Sequence, residues 1–375
     1  MIKVLISAPS MNSAKNVSGV STVVMHIRRA LSDGVAFRHL EIGSEQQGGT
    51  LARLSGSFVK IVRSAGVVLT ARYDILHSNT AMNTKSIVRD LALIIIARLR
   101  GKAVLLHIHG GTYVHEQPPQ FLSWVLRLLF SLSSDIVVLS RHEQAHFSEN
   151  YPETVSKIGF IYNGIDLSEG DAKRDEETSS SEPLRVAFVG RLAPEKGLAT
   201  VIEACRVLTV KDGIRIDFFG DGVFLPDVLA LAHEKVFVTY RGVFQPAESR
   251  KILCNFDALV LPSLRGEGMP MAVIEAMSVG VVPICTPISS IPEIITNGET
   301  GMLIPIGSPD AIVESFGRLQ RDQQSRRRMG RAAYQFATAH FDARTNYRKL
   351  NDIYRRISAG PRRMGPSRNP RSARS

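Results

Sequence analysis

The chain has 375 residues, of which 44% are hydrophobic and 22% are charged. These values are those of an ordinary soluble globular protein, and they exclude a collagen, a coiled coil and a mostly disordered chain. At about 100–200 residues per domain, the length predicts two or three domains. The three cysteines, Cys205, Cys254 and Cys285, form no CxxC pair, which favours a reducing compartment and argues against a structural zinc site.

The net charge of +11 is unevenly distributed along the chain. Residues 1–170 carry a net +5 and residues 171–360 a net +1, while the last fifteen residues hold five Arg and no acid. Basic chains bind nucleic acid, anionic membranes or phosphorylated ligands, and charge alone does not choose among them. The sequence contains no RNA-binding signature and no evident helix-turn-helix, so we expect no nucleic-acid partner. The basic tail, 359–375, is too polar and proline-rich to fold.

Short apolar runs alternate with helical stretches along the whole chain. Because most of these runs are apolar along their entire length, they predict α/β domains with doubly wound parallel sheets covered on both faces. The polar stretch Leu167–Pro183 predicts a linker between two halves of similar size, with a ligand-binding cleft between the carboxyl ends of their strands. The predicted strands are Ile2–Ser7, Asp74–Ser78, Ala103–His107, Asp135–Leu139, Lys157–Tyr162, Arg185–Gly190, Ile214–Phe219, Val236–Arg241, Ala258–Leu261, Val281–Cys285 and Gly301–Pro305.

No segment of the sequence reads as a signal peptide or a membrane span. The opening run MIKVLIS has one Lys and is broken by Ala8-Pro9-Ser10, which makes it a poor signal peptide, so it predicts a buried strand instead. The longest apolar runs, Leu91–Ala97 and Ala103–Leu106, are far shorter than the ~20 residues that a spanning helix needs. We therefore expect a cytoplasmic protein.

Two acids eight residues apart, Glu267 and Glu275, form the strongest local pattern. Glu267 follows a predicted strand, and Glu275 lies in a predicted helix, Met271–Ser278. This places the backbone N–H groups of Gly268 and Met269 at a helix N-terminus, where they can bind oxygen atoms, and the two acids can hold separate hydroxyl-bearing parts of one ligand. The alternative is that Glu267 only caps the helix and Glu275 is a solvated acid.

Three further loops follow predicted strands. Arg191 and Lys196 are spaced so that they can straddle a diphosphate on a strand-to-helix turn, where Arg offers a planar fork and Lys a point charge. Gly19, after the first strand, would let the backbone approach a phosphate closely. His109 lies at the carboxyl end of its strand, which raises the odds of a functional role. Each of these signals has an ordinary structural alternative.

Two patterns point to other functions. The run His142-Glu143-Gln144-Ala145-His146 matches the HExxH zinc-hydrolase signature, with Glu169 as a third ligand; the alternative is a chance match in a helix. The stretch Gln46–Tyr73 is basic and amphipathic, which suits either an anionic membrane surface or an ordinary domain helix.

Taken in order, the motifs resemble a retaining, nucleotide-sugar-dependent glycosyltransferase of family 4 with the GT-B fold. The resemblance covers about residues 1–358. The ordered set is Gly19; His109-Gly110; Asn163-Gly164-Ile165-Asp166; Gly190-Arg191-x4-Lys196-Gly197; Gly220-Asp221-Gly222; Glu267-x7-Glu275; Gly280 and Pro283; Ile291-Pro292-Glu293-Ile294; and Asn297-Gly298-x2-Gly301.

The resemblance implies two Rossmann-like, doubly wound domains that face a central cleft. Residues 1–166 would form the acceptor-side domain, and residues 184–342 the nucleotide-sugar donor domain. The last helix, 343–358, would cross back onto the first domain.

The resemblance also implies roles for the matching residues. Arg191 and Lys196 would bind the donor diphosphate and stabilise the leaving group, with Gly19 approaching the same phosphates. Glu275 would hold the ribose, and His109 would face the reaction centre. The transferred sugar would lie against Glu267 and the backbone of Gly268, Met269 and Pro270. The base would lie near Val243. Asn163 also belongs to the predicted donor site.

The resemblance implies transfer of the sugar to an acceptor. The basic first half of the chain favours a saccharide or lipid-linked saccharide acceptor in envelope or exported polysaccharide synthesis, at the inner face of the cytoplasmic membrane. No DxD triad occurs, so neither a metal nor another cofactor is expected. An epimerase of the same fold, or a sugar-nucleotide binder without transfer activity, is the alternative. The sequence departs from the family pattern at Ser18, Ser289 and Ser290, where glycines are common.

Overall fold

The computed structural model describes residues 1–11, 18–43, 50–114, 116–167 and 182–359, with no side-chain description for 50–58. Four predicted features lie wholly or partly outside the described residues. They are most of the linker, the candidate zinc ligand Glu169, the first part of the amphipathic stretch, and the basic tail except for Ala359.

The described residues form two parallel six-stranded sheets. The strand order is β2-β1-β3-β4-β5-β6 in the first sheet and β12-β11-β10-β7-β8-β9 in the second. The strands are β1 Ile2–Ala8, β2 Val35–Glu41, β3 Ile75–Thr80, β4 Ala103–Ile108, β5 Asp135–Val138, β6 Ile158–Phe160, β7 Leu184–Val189, β8 Ile214–Phe219, β9 Val238–Gly242, β10 Ala258–Leu261, β11 Val282–Cys285 and β12 Met302–Leu303.

Helices connect the strands and cover both faces of each sheet. They are α1 Gly19–Ala30, α2 Thr50–Thr70, α3 Thr84–Leu99, α4 Gln120–Leu132, α5 Arg141–Asn150, α6 Leu198–Val207, α7 Leu225–Glu234, α8 Ser249–Leu253, α9 Met271–Met277, α10 Ile291–Ile294, α11 Pro309–Arg321, α12 Gln323–His340 and α13 Ala343–Ser358. Two doubly wound α/β sheets are the fold that the sequence predicts, so the fold prediction is confirmed.

All eleven predicted strands lie within two residues of an observed strand, but β2 was not predicted. β2 is an edge strand that pairs only with β1, and several of its side chains are part-exposed. Its sequence, VAFRHLE, is therefore mixed in polarity. It lacks the fully apolar pattern that predicts a strand covered on both faces.

The first sheet buries one set of side chains on each face. Val4 and Ile6 pack with α1 and α13, whereas Leu5 packs with helices α2 to α5 on the opposite face, as the period of two along a strand requires. Because β1 lies between β2 and β3, the strand order reverses there, and β7 occupies the equivalent place in the second sheet. In open α/β sheets, ligands bind outside the carboxyl ends of the strands at this point.

The last helix, α13, contacts α1, β1, β3 and β4 of the first sheet. Two backbone hydrogen bonds fix the point at which α13 begins. The N–H of Ile165 donates to the carbonyl of Phe341, and the N–H of Ala343 donates to the carbonyl of Ile165. The Tyr347 hydroxyl accepts a hydrogen bond from the N–H of Gly164 at 2.9 Å. These contacts hold the two halves of the chain side by side.

Candidate active site

Loops from the two sheets meet at the carboxyl ends of β4 and β10. The N–H of Gly111 donates to the carbonyl of Gly266 at 3.3 Å. Gly110 has a φ of +86°, and a Cβ there would lie 2.4 Å from the backbone nitrogen of Gly268. Only glycine fits this approach. The contact brings His109, on the first-sheet loop, next to Glu267 on the second-sheet loop.

Glu267 is buried and forms an ion pair with Lys196. The Ser263 hydroxyl donates to the same carboxylate oxygen at 2.6 Å. Burial by itself opposes the charged form, but the Lys196 ammonium, the Ser263 hydroxyl and the more distant Arg191 guanidinium outweigh it, so the pKa of Glu267 lies below its usual value. Glu267 is therefore an anion that positions Lys196.

Arg191, on the same loop as Lys196, differs from it in burial. Its side chain is 48% exposed and forms an ion pair with Glu195 at 2.9 Å. The structure thus places one shielded cation and one solvated cation on the turn between β7 and α6. An exposed pair such as Arg191–Glu195 stabilises little, so the guanidinium can exchange Glu195 for an anionic ligand at small cost.

Ser289 and Ser290, the two departures from the family pattern in this half of the chain, hold the loop that carries Glu267. The Ser289 hydroxyl donates to the carbonyl of Glu267 at 2.7 Å. The Ser290 hydroxyl donates to the carbonyl of Gly268, also at 2.7 Å. Ser289 has a φ of +50°, so it keeps the left-handed backbone that favours glycine and adds a hydrogen bond that glycine cannot make.

The backbone that follows Glu267 carries two N–H groups that have no acceptor in the described part of the chain. Among the residues that the structure describes, none accepts a hydrogen bond from the N–H of Gly268 or Met269. The Met269 carbonyl instead accepts from the Asn163 amide at 2.9 Å, across from the first sheet. Pro270 ends this buried loop at the start of α9, without a side-chain cap from Glu267. The alternative in which Glu267 serves only as a helix cap is therefore wrong.

The N-terminus of α1 faces this loop from the other side. A Cβ on Gly19 would lie 3.9 Å from Cγ of Met271, which is an ordinary contact distance. Packing against the described residues therefore does not require glycine at this position.

Glu275 is buried on α9, so the alternative of a solvated acid is wrong. The Ser249 hydroxyl, at the start of α8, donates to its carboxylate at 2.5 Å. Burial raises the pKa of Glu275 to about 7, although the Ser249 hydrogen bond and the nearby Arg250 oppose the shift. Val243, which is predicted to lie near the base of the donor, follows β9 and is 44% exposed.

His109 is held by Asn79 in one tautomer. The Asn79 amide nitrogen donates to the carbonyl of Ser7 at 2.7 Å, so its oxygen must face the histidine ring. That oxygen lies 2.7 Å from Nε2 of His109, which therefore carries the proton. Burial lowers the pKa of His109 below its usual value. The neutral ring presents Nδ1 as an acceptor.

Two buried histidines extend this arrangement into the first domain. The His107 ring lies against His109 with centroids 4.1 Å apart, and Nδ1 of His107 lies 3.2 Å from Nε2 of His77. Nδ1 of His77 lies 2.6 Å from the hydroxyl of Tyr354 on α13. Burial lowers the pKa of both His77 and His107. The uncharged rings of His77 and His107 thus pack in a row next to His109 and hold it in place.

Glu293 joins the two domains, a role that the sequence analysis did not assign to it. From α10 in the second domain, its carboxylate accepts hydrogen bonds from the backbone N–H groups of Arg141 and His142 at 3.1 and 2.5 Å. The Tyr162 hydroxyl donates to it at 2.9 Å. An acid at the N-terminus of α5 is favoured by the unpaired N–H groups and the helix dipole there. The sequence showed Glu293 only as part of the Ile291-Pro292-Glu293-Ile294 motif, because its partners lie about 130–150 residues away in the chain.

The HExxH run has a structural explanation. Glu143 is fully buried, its N–H donates to the Ser140 hydroxyl at 3.0 Å, and its carboxylate accepts from the N–H of Leu139 at 2.9 Å. This is a helix-capping arrangement. His142 is exposed and His146 only part-buried. Within the described ranges, no three His, Cys, Asp or Glu side chains are grouped to hold a metal ion.

Two family models match the chain, and together they span residues 17–336. The model described as Glycosyltransferase Family 4 matches residues 17–169. The model described as Glycosyl transferases group 1 matches residues 170–336. The chain belongs to glycosyltransferase family 4.

Curated relatives of this glycosyltransferase carry names from polysaccharide biosynthesis. It is 32% identical over 186 residues to the amylovoran biosynthesis glycosyltransferase AmsK of Erwinia amylovora, covering 47% of this chain and 46% of that protein. The match thus spans less than half the length of AmsK. It is 27% identical over 292 residues to the putative teichuronic acid biosynthesis glycosyltransferase TuaC of Bacillus subtilis, covering 76% of this chain and 71% of TuaC.

Solved structures share the fold of the glycosyltransferase. Sucrose-phosphate synthase from Thermosynechococcus elongatus superposes with a TM-score of 0.76 at 17% identity, over 96% of this chain and 100% of that one. Anabaena HepE, in complex with UDP and glucose, gives 0.68 at 18% identity, over 94% and 99%. These likenesses confirm the GT-B fold.

Proposed function

We propose that the protein transfers a sugar from a nucleotide-sugar, a UDP- or GDP-sugar, to a saccharide or lipid-linked saccharide acceptor. The reaction retains the configuration of the transferred sugar and needs no metal. The product enters an envelope or exported polysaccharide. The names of AmsK and TuaC, and the UDP and glucose bound to HepE, support this class of substrate.

The observation that carries the proposal is the pairing of Lys196 with Glu267 beside the loop of His109, where the two sheets meet. When a nucleotide-sugar bond breaks, negative charge develops on the diphosphate. Lys196 and Arg191 are the groups on this turn that can stabilise that charge, and Lys196 is already held in place by Glu267.

The remaining residues supply binding. Glu275 and the Ser249 hydroxyl suit a pair of ribose hydroxyls, and the base lies against the backbone near Val243. The unused N–H groups of Gly268 and Met269 suit sugar hydroxyl oxygens. Nδ1 of His109, as an acceptor, suits a sugar hydroxyl that donates.

A thermal-shift screen against UDP-, GDP- and ADP-sugars tests the donor part of the proposal. A saturating donor raises the melting temperature by mass action, about 2.7 kcal/mol of stabilisation at a hundredfold excess over Kd. Failure of every nucleotide-sugar to shift the transition would contradict the proposal.

Product analysis tests the reaction itself. With donor and acceptor present, we expect a new glycoside whose anomeric configuration matches that of the donor, formed at the same rate after treatment with EDTA. A changed sugar in the absence of acceptor would show an epimerase instead. Binding with no turnover under any acceptor would show a non-catalytic binder.

No helix in the described part of the chain combines the length and the apolar character required to cross a bilayer. We propose that the protein acts in the cytoplasm, at the inner face of the membrane, where a lipid-linked acceptor is presented.

A further inference from the structure

The first domain exposes large aromatic side chains on α4. Phe121 is 77% exposed and Trp124 is 79% exposed, with Leu128 at 44% one turn further along. The opposite side of the same helix packs Leu122 and Leu126 into the core. α4 is therefore apolar on both sides, whereas a surface helix of a globular domain needs only one apolar side.

The neighbouring helices continue this exposed apolar surface. α3 packs between α2 and α4. Its outward side chains Val88, Ile95 and Leu99 are 50%, 37% and 83% exposed. On α2, three more apolar side chains point outward. We call the nine side chains together the outer helical face: Val59, Val62, Leu69, Val88, Ile95, Leu99, Phe121, Trp124 and Leu128. Contiguous exposed apolar surface of this kind marks an interaction site.

Positive charge surrounds the outer helical face. The sequence from 59 to 132 holds nine Lys or Arg and three Asp or Glu. One of the three acids, Asp90, is buried and paired with Arg89 at 2.7 Å. The exposed cations among the apolar side chains are Arg63, Lys85 and Arg98. Arg127 is also exposed, but it forms an ion pair with Glu153 at 2.7 Å. A second copy of this chain would bring like charges together, whereas an anionic lipid surface complements both the charge and the apolar side chains.

The aromatic end of the face lies on the cleft side of the domain. In a parallel α/β sheet, each helix begins near the carboxyl end of the preceding strand. α4 begins at Gln120, shortly after β4 and the loop that carries His109. Phe121 and Trp124 occupy its first turns, so they lie at the end of the layer where an acceptor would enter. Tryptophan is the side chain most suited to the boundary between lipid headgroups and acyl chains.

We propose that the outer helical face docks on an anionic bilayer, with Phe121 and Trp124 inserted at the headgroup boundary and the cations on lipid phosphates. This inference rests on the proposed function, because it supplies the surface from which a lipid-linked acceptor reaches the cleft. It places the contact on α3 and α4 as well as on the part of α2 that holds Val59, Val62 and Leu69.

Trp124 provides a direct probe, because it is the one tryptophan in the sequence. The full chain is mixed with vesicles of phosphatidylcholine alone or with about a third phosphatidylglycerol. We expect a blue shift of the tryptophan emission and quenching by brominated acyl chains with the anionic vesicles, both weakening as salt is added. The Phe121→Ser and Leu128→Ser variants should each lower the partition coefficient about tenfold.

Val236→Ser is the matched control, because Val236 is 85% exposed but lies in the second domain. It should bind vesicles like the unaltered protein. All three variants should keep their melting temperature and their turnover of a water-soluble acceptor, since these side chains touch neither the core nor the cleft.

Several outcomes would overturn the inference. Vesicle binding without a change in Trp124 emission would place the contact elsewhere. No vesicle binding, with a spectral shift that depends on protein concentration, would show a second copy on this face. A shift with soluble oligosaccharides alone would show a saccharide platform. Loss of vesicle binding with intact nucleotide-sugar binding defeats this inference only, whereas vesicle binding without nucleotide-sugar binding defeats the proposed function only.

Discussion

Lys196, on the turn after β7, and Glu267, on the loop after β10, form an ion pair although 71 residues separate them in the chain. Lys196 belongs to the candidate diphosphate site and Glu267 to the candidate sugar site. A ligand bound at either site therefore affects the side chain that forms the other site.

Lys196→Ala and Arg191→Ala should have the same effect on turnover, but Lys196→Ala should lower the stability more. Each removes a cation from the candidate diphosphate site, and each should lower kcat by about 10²–10³-fold. Lys196→Ala also leaves the buried Glu267 with only Ser263 as its close partner, which should cost about 1–3 kcal/mol of unfolding free energy. Arg191→Ala removes an exposed pair worth at most about 1 kcal/mol.

Denaturant unfolding and steady-state kinetics on the two variants check this pair of expectations. Unchanged turnover in Lys196→Ala would contradict the site assignment, and equal destabilisation in both would contradict the difference in burial.

Donor affinity should rise with pH through the pKa of Glu275. Burial raises that pKa to about 7 in the free protein, so the carboxyl is mostly protonated below pH 7. A carboxylate accepts hydroxyl hydrogen bonds about twice as strongly as a neutral group. Below about pH 7, each unit should therefore weaken binding by up to about tenfold.

Calorimetric titration of a nucleotide-sugar between about pH 6 and pH 8 measures this dependence. Glu267, with its lowered pKa, and His109, which stays neutral, do not titrate in this range. Glu275→Gln is the control and should bind weakly with no pH dependence. A flat profile in the unaltered protein would refute the role of Glu275.

Gly19→Val should block donor binding without destabilising the fold. Among the described residues, a Cβ at this position would contact only Cγ of Met271, at 3.9 Å, and the backbone is not in the left-handed region. The added side chain would therefore occupy the open space that we assign to the donor phosphates. We expect a loss of affinity of at least about tenfold and a change in stability within about 0.5 kcal/mol.

Gly34→Val supplies the matched control. A Cβ at Gly34 meets no heavy atom of the described residues within 4 Å, and Gly34 lies before β2, away from the carboxyl ends of the strands. It should leave donor affinity unchanged. Equal affinity in the two variants would show that Gly19 does not approach the phosphates.

Ala and Gly should rank in opposite order at Ser289 and Ser290. Either replacement removes a hydrogen bond worth about 1 kcal/mol. At Ser289, whose φ is +50°, Gly regains about 1 kcal/mol by relieving the left-handed strain, so Gly should be more stable than Ala. Ser290 has right-handed backbone angles, so there Ala should be at least as stable as Gly.

Thermal unfolding of the four variants gives the ranking. Turnover should fall in all four, since each loosens the loop that carries Glu267. The same order of Ala and Gly at both positions would contradict the strain argument.

Much of the fold was accessible from local sequence. A strand buried on both faces must be apolar along its length, and this pattern predicted eleven of the twelve strands that the described residues form. β2 escaped because an edge strand is only half-covered, so its polarity is mixed. The candidate loops were likewise found by their position after a strand, as at Arg191, Lys196 and Glu267.

By itself, the sequence determined the α/β class, the order of the elements and the family, because apolar runs, turn residues and motif order are local properties of the chain. The tertiary structure decided which groups meet and which are buried. Only folding shields Glu275, pairs Lys196 with Glu267 and brings Glu293 to the N-terminus of α5. Only folding leaves Trp124 outside the core. These are contacts across tens to hundreds of residues, and burial depends on what packs from elsewhere in the chain, which no local pattern specifies.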